Sequence, residues 1–318
     1  MLYNKASDVI GGKMDYNWMP LLGKFEEIDE KIIFKGTQKE YENKILGGDI
    51  GNLIFNKIFS SGTISAEIEF KSFSNDSSCE IILYYNQSQN IIEMLNAGIA
   101  LKPSMFVIKS FTERKWNYLS LSGNGENLKS NLKYKIKASF KGSKLILNVN
   151  DIEVCSAIIN FPIYQSQVGI WCQNTDDIII HDFKVETEES TVFVVSEFSN
   201  PYDELYNEVI KKICNEYNLK AIRADEFTNT GLIISDIIKY IVESKIVIAE
   251  ISPNNPNVYY EVGYAHALNK PTILLAEKTT KLPFDVSPFR VLFYENSIAG
   301  RSKIEEGLKK LIKDIIIK

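Results

Sequence analysis

The hydrophobic pattern of this 318-residue chain changes period once, near residue 188, and no other feature constrains its fold as strongly. From about Lys13 to Glu186 the chain breaks into short runs with strand character: Lys31–Lys35, Gly62–Phe70, Glu80–Tyr85, Phe106–Ser110, Trp116–Leu121, Leu132–Lys141, Lys144–Val149, Val168–Cys172 and Ile178–Val185. In Thr63–Phe70 every second side chain is apolar, which turns one face to a core and the other to water. Turn-forming residues punctuate the runs, and Lys141-Gly142-Ser143, Gly123-Asn124-Gly125 and Asn150-Asp151 read as hairpins. Many short strands with almost no helical period predict an all-β sandwich over residues 1–188.

Past the polar stretch Glu186–Ser190, which reads as a linker, strand-like runs alternate with helical ones. The strands are expected at Val192–Ser196, Leu219–Ala224, Lys245–Ile251, Thr272–Ala276 and Val291–Tyr294, and the helices near Pro201–Tyr217, Gly231–Glu243, Pro256–Asn269 and Ser302–Ile317. Apolar strands in regular β–α alternation predict a parallel sheet covered on both faces, an α/β domain over 191–318. A flavodoxin-like strand order, 2-1-3-4-5, is the natural expectation. The chain is about twice the usual domain length, which agrees with two domains.

Composition removes several classes of function. The net charge is −5, with both signs scattered through both halves, so neither half is expected to bind nucleic acid by its phosphates. Cys79, Cys155, Cys172 and Cys214 lie far apart in apolar surroundings and read as buried free thiols; with only His181 and His266 beside them, no metal site is expected. Neither a signal-peptide core nor a membrane-length apolar run is visible, which predicts a soluble, cytoplasmic protein without membrane contact. Trp18, Trp116 and Trp171 all fall in the first half. Packing is the expected role of these rings, Trp171 in particular because Val168, Gly169, Ile170 and Cys172 surround it.

The most informative segment is Lys245–Glu277, KIVIAEISPNNPNVYYEVGYAHALNKPTILLAE. A buried strand ends near Ile251, a loop follows, and Asn255 and Pro256 suit the cap and first position of a helix. Glu261 then falls in the second turn, beyond the carboxyl ends of the strands, where parallel sheets hold their ligands. The same helix start favours phosphate or ribose hydroxyls.

Residues NPNVYYEVGYAHALNKPTILL resemble the superfamily that joins bacterial TIR domains, nucleoside 2-deoxyribosyltransferases and nucleotide N-glycosidases. The resemblance implies that Glu261 is catalytic and that the reaction is cleavage at the anomeric carbon of a nucleoside or nucleotide. In the first half, YKIKASFKGSKLILNVND and VGIWCQNTDDIIIHDFKV resemble the last strands of concanavalin A-like, laminin-G-like jelly rolls, a resemblance of topology that carries no site with it. Relatives of the second half often close the third strand with an aspartate, where this chain has Glu250.

The remaining candidates for substrate binding lie on neighbouring strand ends and on the loop and helix around Glu261. They are Ser196, Glu197 and Phe198 after the first strand, Arg223 and Asp225 after the second, and Glu250, Ser252, Asn254, Asn257 and Tyr260 around the third. Arg223 is expected on a phosphate and Phe198 against a base. Tyr259, Tyr264 and His266 read as packing residues. Three functional readings follow. The first is a TIR-like NAD hydrolase or cyclase in bacterial antiviral defence, with NAD as substrate, no cofactor, and a sandwich that senses a carbohydrate or other cue or promotes self-assembly. The second is a deoxyribosyltransferase or nucleotide N-glycosidase, and the third a nucleotide-binding or interaction module without turnover. NAD makes the simplest case because nicotinamide leaves as a neutral base and needs no general acid.

Overall fold

A computed structural model of the chain describes residues 17–41, 44–88, 91–161, 163–226, 233–286 and 288–317. The chain forms two compact units. One is built from residues up to Phe140 with Leu145–Ala157 and Gln165–Thr187, the other from Lys141–Lys144, Ile158–Tyr164 and Glu188 onward.

The first unit is an antiparallel β-sandwich. In chain order its strands are β1 Trp18–Leu22, β2 Phe25–Ile28, β3 Lys31–Phe34, β4 Gln38–Tyr41, β5 Lys44–Phe59, β6 Gly62–Phe70, β7 Ser78–Ser88, β8 Ile91–Ala100, β9 Phe106–Thr112, β10 Lys115–Ser122, β11 Lys133–Lys141, β12 Lys144–Val149, β13 Ile152–Ile158, β14 Ser166–Asn174 and β15 Ile178–Thr187. One sheet runs β1-β5-β14-β7-β8-β9-β10 with β4 on β5, and the other β13-β12-β11-β6-β15-β3-β2. Side-chain alternation builds the core: Ile64, Ala66, Ile68 and Phe70 on β6 are all buried while the residues between them are half-exposed. The start expected at Lys13 lies outside the described residues.

Several elements differ from the sequence expectation. Strands β5 and β8 were not anticipated, because Gly47, Gly48, Gly51 and Gly98 interrupt their apolar pattern. Close packing demands these glycines: a Cβ on Gly51 would lie 2.6 Å from the Phe34 ring, and one on Gly98 2.5 Å from the Cys79 carbonyl oxygen. Gly123-Asn124-Gly125 is no hairpin; it starts a crossover from β10 in one sheet to β11 in the other. The expected linker Glu186–Ser190 is mostly strand, since Glu186 and Thr187 pair with Thr63 and Gly62 and Ser190 opens the next strand. Acidic side chains can occupy such edges because alternate positions face water while the backbone stays paired.

Trp171 packs, as expected, but on the face of its strand opposite its neighbours. Ile170 and Cys172 on either side are fully buried, so alternation sends Trp171 to the opposite face of β14. There its ring lies 5.5 Å from that of Trp116, and both pack against the buried Ile54, Ile82 and Met94. Across the same face Lys109 Nζ lies 2.8 Å from Glu80 Oε1 and 4.0 Å from the centre of the Trp116 ring, while Asn96 Nδ2 donates to Glu80 Oε2 at 3.2 Å. Glu80 and Asn96 are fully buried and Lys109 nearly so.

The second unit is α/β. Strands β16 Ser190–Val195, β17 Leu219–Arg223, β18 Ile246–Glu250, β19 Thr272–Glu277 and β20 Val291–Tyr294 form a parallel sheet in the order β17-β16-β18-β19-β20, the expected 2-1-3-4-5. The helices are α1 Tyr202–Leu205, continued through a π turn at Tyr206–Ile210 into α2 Lys211–Glu216, then α3 Ile233–Glu243, α4 Pro256–Ala267 and α5 Ile298–Ile317. Successive residues of each strand serve opposite cores. Val192, Val194, Ile246 and Ile248 meet Val209, Ile213, Ile304 and Leu308 from the first helical segment and α5. Phe193, Val195, Val247 and Ala249 meet Ile237, Ile241, Val258 and Val262 from α3 and α4. Fully apolar strands are thereby explained, since both faces are dry. No helix among the described residues is long and apolar enough to cross a membrane.

The buried pair in the sandwich yields a prediction. Lys109→Met strands the Glu80 carboxylate and should cost about 3–5 kcal/mol in urea unfolding. Adding Glu80→Gln, which keeps an acceptor for Asn96, should recover most of that loss; a double variant no more stable than the single one would show that the pair is not what Lys109 supplies.

Candidate functional site

The carboxyl ends of β16 and β17 open onto a cavity of about 800 Å³ that α3 and α4 close from one side. Its floor is apolar, from Val194, Val195, Ala224, Ile234, Ile237 and Val258. Its polar groups are Ser196, Glu197, Asp225, Asp236, Asn255, Asn257, Tyr260 and Glu261, with Phe198 at the edge.

Glu261 stands on α4, which starts as the sequence implies. Asn255 caps it, its Oδ1 accepting from the Asn257 amide at 3.0 Å, and Pro256 follows. Val258, Val262 and Ala265 bury one stripe of the helix, and Glu261, next to that stripe, is half-buried at the cavity wall. Among the described residues its carboxylate has no hydrogen bond or ion pair, and burial alone pushes its pKa up to about 7. A carboxylate half-buried beside an apolar floor is costly to keep charged.

Seven of the eleven residues expected from sequence line this cavity: Ser196, Glu197, Phe198, Asp225, Asn257, Tyr260 and Glu261. Glu197 accepts from the Ser199 hydroxyl at 2.9 Å. Phe198 and Tyr260 are 53% and 55% exposed, free to close over a ring.

Arg223 is not among the lining residues, and its expected part in phosphate binding is corrected. Its guanidinium is 4% exposed; Nε and Nη2 each donate to Asp225 at 2.7 Å, and Nη2 also meets Asp203 at 2.7 Å. Nη1 reaches Ser196 Oγ at 3.4 Å, and the group lies over the rings of Tyr206 and Phe198, 4.5 Å and 5.0 Å from their centres. Two carboxylates thus take the donors of Nε and Nη2 and share the charge of one arginine. Asp225 is in turn held below the usual carboxylate range, first by its hydrogen bonds from Arg223.

Glu250 and Ser252 also lie outside the cavity. Glu250 Oε1 accepts from the Ser252 amide at 2.9 Å and from the Ser252 hydroxyl, whose oxygen accepts from the Glu277 amide at 2.7 Å. The Tyr294 hydroxyl is a further partner of the Glu250 carboxylate, and burial raises the Glu250 pKa to about 7. The glutamate at the end of β18 therefore ties β18 to β19 and β20. Asn254 is exposed on the loop and not part of the lining. The packing readings agree with the geometry: the Tyr259 hydroxyl donates to the Ile251 carbonyl at 3.2 Å, and His266 stacks on Phe289 at 4.1 Å.

Sequence reasoning missed the contribution of α3, namely Ile234, Asp236 and Ile237, and used Asn255 only as a cap. A signal existed. Asp236 sits in the first turn of the helix after the second strand, and that turn must lie over the same sheet edge.

No protein-family model and no curated protein matches the chain. Among solved structures, the sandwich is similar to carbohydrate-binding module CBM66 from Bacillus subtilis, at 11% identity over 55% of this chain and 98% of that one, with a TM-score of 0.43. A Bacillus subtilis protein of galectin-like fold is 11% identical over 52% of this chain and 87% of that one, at a TM-score of 0.39. A CMP N-glycosidase from Clostridium botulinum is 18% identical over 38% of this chain and 99% of that one, at a TM-score of 0.31. Likeness of this degree carries no site or substrate from one chain to another.

The raised pKa of Glu261 has a stability consequence. Because the folded value lies above the ordinary 4.5, the group's favourable contribution is complete below about pH 4.5 and is lost as pH rises through about 7. Glu261→Gln keeps the shape without the charge, so its Tm should exceed that of the parent at pH 8 and match it near pH 4.5. Equal melting at both pH values would show that the carboxylate is not desolvated.

Proposed function

We propose that the α/β unit cleaves the N-glycosidic bond of a nucleoside or nucleotide with Glu261 at the anomeric carbon. The observation that carries this reading is the half-buried Glu261 carboxylate, without a hydrogen bond or ion pair among the described residues, at the wall of a cavity on the carboxyl edge of the sheet. The C1′–N bond breaks with its electron pair leaving on the base, and positive charge develops over C1′ and the ring oxygen. An ionised Glu261 lowers that barrier by facing the charge or by forming a transient bond to C1′, after which water adds and releases a proton. The apolar floor strengthens the attraction by excluding solvent. The resemblance of Asn255–Leu275 to the TIR and deoxyribosyltransferase superfamily supports the same role, and a pyridinium base such as that of NAD, which departs neutral, suits a site with one unpartnered carboxylate.

Base release from a panel of nucleosides and nucleotides, NAD included, tests the reading. Glu261→Gln should lose about a hundredfold or more in turnover. In the parent protein kcat/KM should rise with pH to a plateau above about 7, where the carboxylate is ionised. A folded Gln variant with near-parental turnover would overturn the assignment.

For the sandwich we propose recognition of a cue, a carbohydrate being the chemistry that half-buried Trp116 and Trp171 rings would suit, with recognition gathering copies of the chain. Specific activity should then rise with protein concentration or with the cue, and flat specific activity across a dilution series would remove the assembly part of the reading.

A further inference from the structure

The charge lining the cavity limits what the cavity can accept. Glu197, Asp225, Asp236 and Glu261 all reach it, and no Lys, Arg or His does among the described residues. Arg223, which touches the lining residues Ser196 and Phe198, is held by Asp225 and Asp203 at 2.7 Å each, so its charge is already shared by two carboxylates. At the start of α4 the Asn257 amide is occupied by the cap oxygen of Asn255, which takes up one of the donors that a helix terminus presents to anions.

A nucleotide whose C1′ reaches Glu261 carries its 5′-phosphate into the same acidic field. Repulsion in a partly desolvated cleft is screened far less than at the surface. We infer that the substrate of this cavity is an unphosphorylated nucleoside, favoured further when its base is positively charged. The inference rests on the N-glycosidase reading and narrows its substrate class. For nicotinamide riboside the reaction balances without another reactant: the C1′–N bond breaks, its electron pair neutralises the pyridinium nitrogen, water adds to C1′, and one proton goes to solvent. Nicotinamide leaves neutral, while Glu197, Asp236 and the ionised Glu261 attract the cation before the bond breaks; Asp225 is already paired with Arg223. NAD, with two phosphates, falls behind the riboside of the same base.

The test is a matched comparison on the full chain. Nicotinamide riboside and nicotinamide mononucleotide share base and sugar and differ by one phosphate, and inosine with inosine monophosphate gives the pair with a neutral base. The expected result is a kcat/KM for each nucleoside at least about tenfold above that of its monophosphate, a gap that narrows at high salt and in Asp236→Asn. Equal or faster cleavage of the monophosphates or of NAD overturns this inference and leaves the role of Glu261 standing. If none is cleaved, the N-glycosidase reading fails, and calorimetric titration of the same pairs decides the present point: tighter binding of the monophosphate overturns it, tighter binding of the nucleoside upholds it.

Discussion

The second unit depends on one constraint, that a parallel sheet covered on both faces leaves only its edges open to solvent. Val192 and Val194 are spent on one layer of helices and Phe193 and Val195 on the other, so chemistry has to sit where the strands end. At that edge side chains reach a cavity without disturbing either core, which is why Ser196–Phe198, Asp225 and Glu261 come together from three segments far apart in sequence.

Local surroundings then give chemically alike carboxylates different states. Asp225 and Glu261 line the same cavity, yet Arg223 holds the first ionised while burial without a partner pushes the second up to about 7. Glu250 has a similar value for a different reason of use: Ser252 and Tyr294 hold it in the sheet edge, away from the cavity. Value alone would not separate Glu250 from Glu261. Partners and access do, since one is bound into the structure and the other faces open space.

The sandwich meets a related problem, with polar groups buried on the face of a sheet. It meets part of it by pairing: Lys109 forms an ion pair with Glu80, and Asn96 Nδ2 donates to the same carboxylate, across β7, β8 and β9 beside Trp116. Such a buried pair adds little net stability while it is whole and costs much when one partner is removed.

Much of this was determined by the sequence itself, where the cause is local. Period and turn chemistry set the two architectures, continuous apolar strands in β–α alternation set the parallel sheet, and Asn255 with Pro256 set the start of α4 and so the turn on which Glu261 lies. Other features were decided only by the tertiary structure. Strands β5 and β8 carry glycines that read as turns until the approaching Phe34 ring and Cys79 carbonyl explain them. Trp171 was legible as a packing residue, whereas its partners Trp116, Ile54, Ile82 and Met94, which come from other strands, were not. Arg223 was legible as a cation near a ligand edge, whereas its capture by Asp203, twenty positions earlier on α1, was not. Asp236 joined the cavity because α3 folds over the same edge. The physical reason is common to all four: a residue's period and caps act within a few positions along the chain, while its partners and its access to solvent are set by segments that only folding brings beside it.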